Sequence, residues 1–102
     1  MPEMPEIETI RRSLEPHLTG KTIKRADVLL ARQIKWPEPD QFVARILLAK
    51  IAKLDRVGKY LLLRLDNGVS LVFHLRMTGQ LLVTPKDNPA EKHTHLVLHL
   101  VN

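Results

Sequence analysis

The first residues of the chain, Met1-Pro2-Glu3, contain the pattern most able to do covalent chemistry. Methionine before proline is normally removed during synthesis, which would leave Pro2 with a secondary amine beside the Glu3 carboxyl group. Such an amine can add to a sugar aldehyde carbon and form an iminium ion, a covalent route that divides one difficult displacement into two easier steps. An α-amino group titrates at about 8 in model peptides, so a neutral fraction exists at physiological pH. The alternative is a frayed chain start without chemical function.

Basic and histidine-containing segments recur further along the chain. They read Arg-Val-Gly-Lys-Tyr-Leu-Leu-Leu over 56–63, His-Leu-Arg-Met-Thr-Gly over 74–79 and Lys-His-Thr-His over 92–95. Alternate residues of a strand share a face, so His74 and Arg76 are expected on one side. Taken alone, Lys59 is equally typical of a strand edge, and Met77 of core filling.

Together with Thr9-Ile10-Arg11-Arg12, these segments resemble, in order and spacing, the N-terminal domain of bacterial formamidopyrimidine-DNA glycosylase over essentially all 102 residues. The resemblance implies a bifunctional enzyme of base excision repair. It would remove oxidised purines and then cut the strand at the abasic sugar by β- and δ-elimination, through a Schiff base on the N-terminal proline. A non-enzymatic DNA-binding module and a plain structural domain are the alternatives.

The resemblance also implies residue roles. Catalysis would fall to Pro2, Glu3 and Lys59, and DNA binding to four further residues, namely His93, His74, Arg76 and Met77. Met77 would enter the gap left when the damaged nucleotide rotates out of the stack, because an unbranched apolar side chain can wedge between base steps. Glu6 is interpreted either as a supporting carboxylate near the site or as a residue that complements the helix dipole.

A metal site is the competing interpretation of the histidines at 93, 95 and 99. Zinc in proteins takes three or four converging ligands, commonly including cysteine. The chain has no cysteine, so a further ligand would have to be His74 or a carboxylate. We therefore expect neither a metal nor another cofactor in this chain, whereas the resemblance implies a cysteine zinc finger in the C-terminal part of a longer protein.

Composition agrees with a nucleic-acid partner. Sixteen Lys and Arg against eleven Asp and Glu give a net charge of +5, and this balance favours polyanions, with affinity that falls as salt rises. No apolar run reaches the length of a membrane span and no signal peptide is visible, so we expect no membrane association and a cytoplasmic protein. The expected partner is double-stranded DNA with an oxidised base or an abasic site, bound by a full-length monomer.

The pattern of apolar residues predicts an α+β domain in which an N-terminal helix packs on an antiparallel β-sandwich that makes up most of the fold. The helix is predicted from Pro5 to about Leu14 or Leu18, on a stripe that also includes Ile7 and Ile10. Pro16 should bend or end it. Asp40 is the expected cap of a short second helix that runs to about Leu48.

Six strands are predicted, and Asp66-Asn67-Gly68 is a hairpin turn between two of them. The strands are Lys21 to Leu30, Ile51 to Arg56, Lys59 to Leu65, Val69 to His74, Gly79 to Val83 and His95 to Val101. The length and pattern predict one domain over residues 1–102. The resemblance implies that it is a catalytic domain and places a helical DNA-binding domain and a zinc finger outside it. We expect the isolated chain to have little or no activity, because half of the DNA clamp is absent.

Overall fold

A helix, α1 (Met4–Leu18), opens the part of the chain that the computed structural model describes, which comprises residues 4–75, 79–85 and 92–102. The predicted apolar stripe is confirmed, because Ile7 and Leu14 are buried while Ile10 and Leu18 pack partly against the core. Pro16 lies in the last turn, where it does not prevent the helix from continuing to Leu18. Burial of one face thus places α1 on the rest of the domain.

Five strands form two antiparallel sheets in the described part of the chain. One sheet pairs β1 (Thr22–Val28) with β5 (Leu96–Val101). The other has the order β2 (Ile51–Val57), β3 (Tyr60–Leu65) and β4 (Ser70–Phe73). A short 3-10 helix (Ala31–Gln33) and α2 (Pro39–Ile46) connect β1 to β2. No helix among the described residues is both long enough and apolar enough to cross a membrane.

One apolar core joins the helix and both sheets. Ile23 of β1, Leu54 of β2 and Leu61 of β3 are essentially inaccessible to solvent and belong to the same cluster as Ile7 of α1. Three leucines of β5 pack against this cluster from the second sheet, namely Leu96, Leu98 and Leu100. The predicted class, an N-terminal helix on antiparallel sheets, is confirmed.

The two sheets are tied together where the chain enters β2. The Gly20 backbone N–H donates to the Ile51 carbonyl at 2.8 Å, and the Ile51 N–H donates to the Lys21 carbonyl at 2.8 Å. A further bond of 2.9 Å runs from the Ile23 N–H to the Ala49 carbonyl. This short stretch of pairing sets how the end of α1 and the start of β1 meet β2.

The predicted turn between β3 and β4 is confirmed. Gly68 has a φ of 86°, a left-handed conformation that glycine adopts at little cost. The Asn67 side chain accepts a hydrogen bond from the Val69 N–H at 3.0 Å and donates one to the Arg45 carbonyl at 2.9 Å. The turn therefore also connects the sheet to the C-terminal end of α2.

Two predictions about elements are wrong. The residue that precedes α2 is Glu38 rather than Asp40, which lies inside the first turn, and the Glu38 side chain makes no capping bond. Proline at the first helical position replaces the capping signal, because its φ is already suited to a helix. Residues Gly79 to Val83 form no strand, and Leu82 and Val83 are exposed. Their alternation had no partner strand among the described residues, and a strand needs one.

Candidate active site

The predicted catalytic lysine lies in the turn between β2 and β3. Val57 pairs with Tyr60, which leaves Gly58 and Lys59 as a two-residue turn. Gly58 has a φ of 60°, as tight hairpin turns of this length require. The expectation that a strand begins at Lys59 is thus corrected by one residue, because β3 begins at Tyr60. We call residues 57–60 the lysine hairpin.

Arg56 connects the lysine hairpin to α1. Its Nε donates to Oε1 of Glu8 at 3.3 Å, and its Nη1 donates to the Gly58 carbonyl at 2.9 Å. Since Glu8 lies in the second turn of α1, one guanidinium group touches both the helix and the turn that carries Lys59. The structure therefore brings the start of α1 next to the lysine hairpin.

The Glu8 carboxylate accepts hydrogen bonds from three arginines, Arg56 and two residues of α1. Arg11 donates to both of its carboxylate oxygens, from Nε at 2.9 Å and from Nη2 at 2.7 Å, and Arg12 Nε donates at 2.9 Å. The hydrogen bonds from Arg11, assisted by Arg12 and Arg56 and opposed by burial, lower the pKa of Glu8 to about 2. The Glu8 carboxylate is therefore charged at neutral pH and serves as an anion, with no role as a proton donor there.

Sequence reasoning gave Glu8 no role in the site. The spacing of Glu8 from Arg11 and Arg12, three and four residues, is the usual signal of helical ion pairs. That signal could have found the pairs within α1. The contact with Arg56 spans 48 positions and carries no local signal.

Several predicted site residues lie outside the described part of the chain. These are Pro2, Glu3, Arg76 and Met77. Glu6 is exposed in the first turn of α1, a position where a carboxylate complements the positive end of the helix dipole. Both interpretations of Glu6 remain predictions.

His74 lies beside the lysine hairpin. Its ring centroid is 5.0 Å from that of Tyr60, and the two rings are tilted by 41°. His74 follows β4 directly and is half-buried, whereas the next residue, Leu75, is buried in the core. The ring contact therefore brings His74 next to Tyr60, the residue that follows Lys59 in the lysine hairpin.

The other histidines do not converge on a metal centre. His93 and His95 are exposed just before β5, while His99 within β5 has its Nε2 2.8 Å from Oδ2 of Asp27. Hydrogen bonds from Arg25 and then His99 lower the pKa of Asp27. Across residues 4–75, 79–85 and 92–102, no three His, Cys, Asp or Glu side chains lie close enough together to hold a metal ion.

Comparison with known proteins identifies relatives over the whole chain. The chain is 50% identical to a formamidopyrimidine-DNA glycosylase of Desulforamulus reducens over 100% of its own length and 37% of the relative's. It is 47% identical to one of Carboxydothermus hydrogenoformans, over 98% of the chain and 38% of that relative. The chain therefore spans somewhat more than a third of the length of these curated relatives.

Solved structures of the Lactococcus lactis formamidopyrimidine-DNA glycosylase share the fold. One holds the enzyme non-covalently bound to DNA containing an abasic site, with a TM-score of 0.93 and 32% identity over 99% of this chain and 38% of that one. Another holds it with DNA containing Fapy-dG, with a TM-score of 0.92 and 32% identity over 98% of this chain and 37% of that one.

The family model described as the formamidopyrimidine-DNA glycosylase N-terminal domain matches residues 1–102. The match covers the segments that contain α1, the lysine hairpin and the histidines before β5. The chain belongs to this family.

Proposed function

We propose that this chain supplies the nucleophile-bearing domain of a DNA glycosylase and abasic-site lyase that acts on oxidised purines in double-stranded DNA. The nitrogen of Pro2, freed by removal of Met1, attacks C1′ of the damaged nucleotide. The bond from C1′ to the base breaks, and the base leaves with a proton while the sugar ring opens. The resulting iminium ion draws electrons from the sugar, so loss of a C2′ proton expels the 3′ phosphate.

The observation that best supports this proposal is the position of the lysine hairpin beside the first turns of α1. Arg56 contacts both Glu8 and Gly58, so the second turn of α1 lies beside the turn that carries Lys59. A nucleophile and a cation that binds the adjoining phosphate need this proximity, because pre-organised geometry supplies much of an enzyme's rate.

The remaining residues receive roles in the same reaction. Glu3 protonates the opened sugar oxygen, as a carboxyl next to the amine can. Lys59, His74 and His93 donate to backbone phosphates, and Arg76 and Met77 occupy the gap from which the nucleotide has rotated. Glu6 supports the site from the first turn of α1.

The proposed activity belongs to a longer protein. Relatives are more than twice the length of this chain, and we propose that the remainder supplies a helical DNA-binding domain and a cysteine zinc finger. The described residues offer no comparable metal site, and the chain contains no cysteine. The complete protein would act as a cytoplasmic monomer, and the isolated chain would show little or no activity.

Borohydride trapping tests the nucleophile. The chain replaces the equivalent residues of the Desulforamulus reducens relative, and the chimera is incubated with a duplex that contains one abasic site. We expect a covalent complex when mass spectrometry shows that Met1 is absent, and none when the Pro2 nitrogen is acetylated. Equal trapping by the acetylated protein would overturn the proposal.

The same assay separates the alternatives. Salt-dependent binding to the duplex without trapping by the chimera would favour a non-enzymatic DNA-binding module. Efficient trapping by the isolated 102 residues would contradict the expectation that the missing part is required.

A further inference from the structure

The Arg56 guanidinium group occupies an unusual position between two elements that are far apart in sequence. Nε reaches the Glu8 carboxylate on α1, and Nη1 reaches the Gly58 carbonyl in the lysine hairpin. Arg56 is only about a third exposed, so its side chain lies along the protein surface and does not extend freely into solvent. A planar guanidinium can satisfy two acceptors at once without losing its geometry.

The Glu8 carboxylate, at the helix end of the Arg56 contact, is also held by residues of α1. Nη2 of Arg11 and Nε of Arg12 both donate to Oε2 of Glu8, at 2.7 and 2.9 Å. Oε1 accepts hydrogen bonds from Nε of Arg11 and from Nε of Arg56. Both oxygens of the carboxylate thus have partners on α1, and Arg56 meets an acceptor whose orientation is already set.

The hairpin end of this contact lies at Gly58. A Cβ placed on Gly58 would meet no described atom within 4 Å beyond its chain neighbours, so that side of the turn is open. The Val57–Tyr60 pair closes the turn, and the donation from Nη1 of Arg56 to the Gly58 carbonyl links the turn residue itself to the Arg56 side chain. Lys59 is the next residue, and any rotation of the Gly58 peptide group changes the direction of its side chain.

We propose that Arg56 and Glu8 form a positioning bridge that sets the Lys59 turn relative to the first turns of α1, the helix that follows the proposed nucleophile in the chain. The inference rests on the proposed function, since it assigns the bridge to the geometry of that reaction. Arg56 and Glu8 are positioning residues: they act through the turn and the helix and need no contact with the substrate.

Arg64 provides a matched control for the bridge. It is a partly exposed arginine on β3 whose Nη2 donates to Oδ2 of Asp55 at 3.1 Å and whose Nη1 donates to Oγ of Ser70 at 3.2 Å. These contacts join neighbouring strands of one sheet and touch neither α1 nor the lysine hairpin. Arg64→Gln thus removes a guanidinium and its ion pair from the same sheet while both side-chain partners of Arg56, Glu8 and Gly58, stay in place.

The first measurement uses the 102-residue chain itself and does not depend on activity. We follow the amide hydrogen exchange of Tyr60, which pairs with Val57 at the end of the lysine hairpin. The variants compared are Arg56→Gln, Glu8→Gln and Arg64→Gln. We expect the first two to raise the exchange rate about 10-fold because local opening of the turn becomes easier, and the third to leave it unchanged. Equal exchange in Arg56→Gln and Arg64→Gln would contradict the bridge.

The second measurement uses the chimera described above, in single-turnover trapping on duplex DNA with one abasic site. For Arg56→Gln and Glu8→Gln we expect the trapping rate to fall about 10- to 100-fold, as misplacement of reacting groups by roughly 1 Å can do. DNA affinity should change less than about twofold, since the bridge makes no phosphate contact in this scheme. Arg56→Lys should recover only part of the rate, because lysine cannot bridge both acceptors in a plane.

The double variant Glu8→Gln/Arg56→Gln distinguishes a shared role from two separate ones. A shared bridge predicts a trapping rate no slower than that of the slower single variant, because partners in one contact are not additive. Multiplied effects, or a loss of DNA affinity that accounts for the slower rate, would overturn the inference. Absence of trapping in the unsubstituted chimera would instead count against the proposed function, while the hydrogen exchange result still decides whether the bridge exists.

Discussion

At the scale of single residues, the clearest electrostatic feature is the Glu8 carboxylate among Arg11, Arg12 and Arg56. Each guanidinium group contacts it directly, and Arg11 also pairs with Glu15 on the next turn. A carboxylate shared by several guanidinium groups gains more than an isolated surface pair, because the network holds the side chains together. The charge state of Glu8 therefore affects how α1 packs against the sheet, through the contact with Arg56.

Glu8 makes stability depend on pH at the acid end. Its pKa is lowered from 4.5 to about 2 in the folded chain, so its contribution is complete above pH 4.5 and is lost as the pH falls towards 2. We expect the unfolding free energy of the native chain to exceed that of Glu8→Gln at pH 7. This difference should shrink as the pH falls from 4.5 towards 2. Urea unfolding at a series of pH values measures this. A difference that is the same at pH 7 and pH 2.5 would contradict it.

At the scale of elements, α1 and the two sheets depend on the buried leucines of β3. Leu61 is fully buried and packs in the cluster that includes Ile7 of α1 and Leu54 of β2. The central strand therefore contributes more to stability than the surrounding loops do.

Truncation of this strand's core provides a direct test. Leu61→Ala should lower the unfolding free energy by about 2–5 kcal/mol, because it removes buried methyl groups and leaves a cavity. Leu82→Ala, the same change at a residue that is 61% exposed, should alter it by less than about 0.5 kcal/mol. Thermal or urea unfolding of both variants compares them. Similar losses for the two would show that burial in β3 does not determine stability.

The turn between β3 and β4 offers a second test at this scale. Gly68 has a φ of 86° with open space around it, so Gly68→Ala should cost about 1 kcal/mol through backbone strain alone. Gly68→Asn should cost less, because asparagine tolerates the left-handed region better. Equal unfolding free energies for the alanine and asparagine variants would argue against strain as the cause.

At the scale of the whole molecule, charge is the dominant property. The net charge of +5 favours association with a polyanion, and Lys59 in the turn between β2 and β3 contributes to that charge. Each phosphate contact releases counterions, so affinity for duplex DNA should fall steeply as salt rises.

In the chimera, Lys59 should contribute to the salt dependence of DNA binding through one phosphate contact. Lys59→Gln should reduce the slope of log affinity against log salt by about 1 and weaken binding to undamaged and abasic duplexes alike. Lys53→Gln, at an exposed position on β2, is the control and should leave the slope unchanged. Fluorescence anisotropy at several salt concentrations measures both. Equal slopes for Lys59→Gln and the native protein would remove Lys59 from phosphate binding.

Much of the architecture was predictable from local pattern. The stripe of Ile7 and Leu14 identified α1, and the Asn67-Gly68 pair identified the turn after β3, because helical periodicity and left-handed turns are properties of neighbouring residues. The motif segments likewise predicted the family to which the chain belongs. The alternation over Gly79 to Val83 led to a strand prediction that is wrong. Alternation is also a property of neighbouring residues, and it does not show whether a partner strand lies beside them.

The sequence alone determined which residues could do chemistry, since a proline amine, a lysine after a glycine and spaced histidines are defined by residue type and order. Only the tertiary structure decided which of them meet. The contacts of Arg56 with Glu8 and of Tyr60 with His74, and the pairing of β1 with β5, join positions far apart in the chain. Such contacts depend on how buried faces pack together, and that packing leaves no signal in short stretches of sequence.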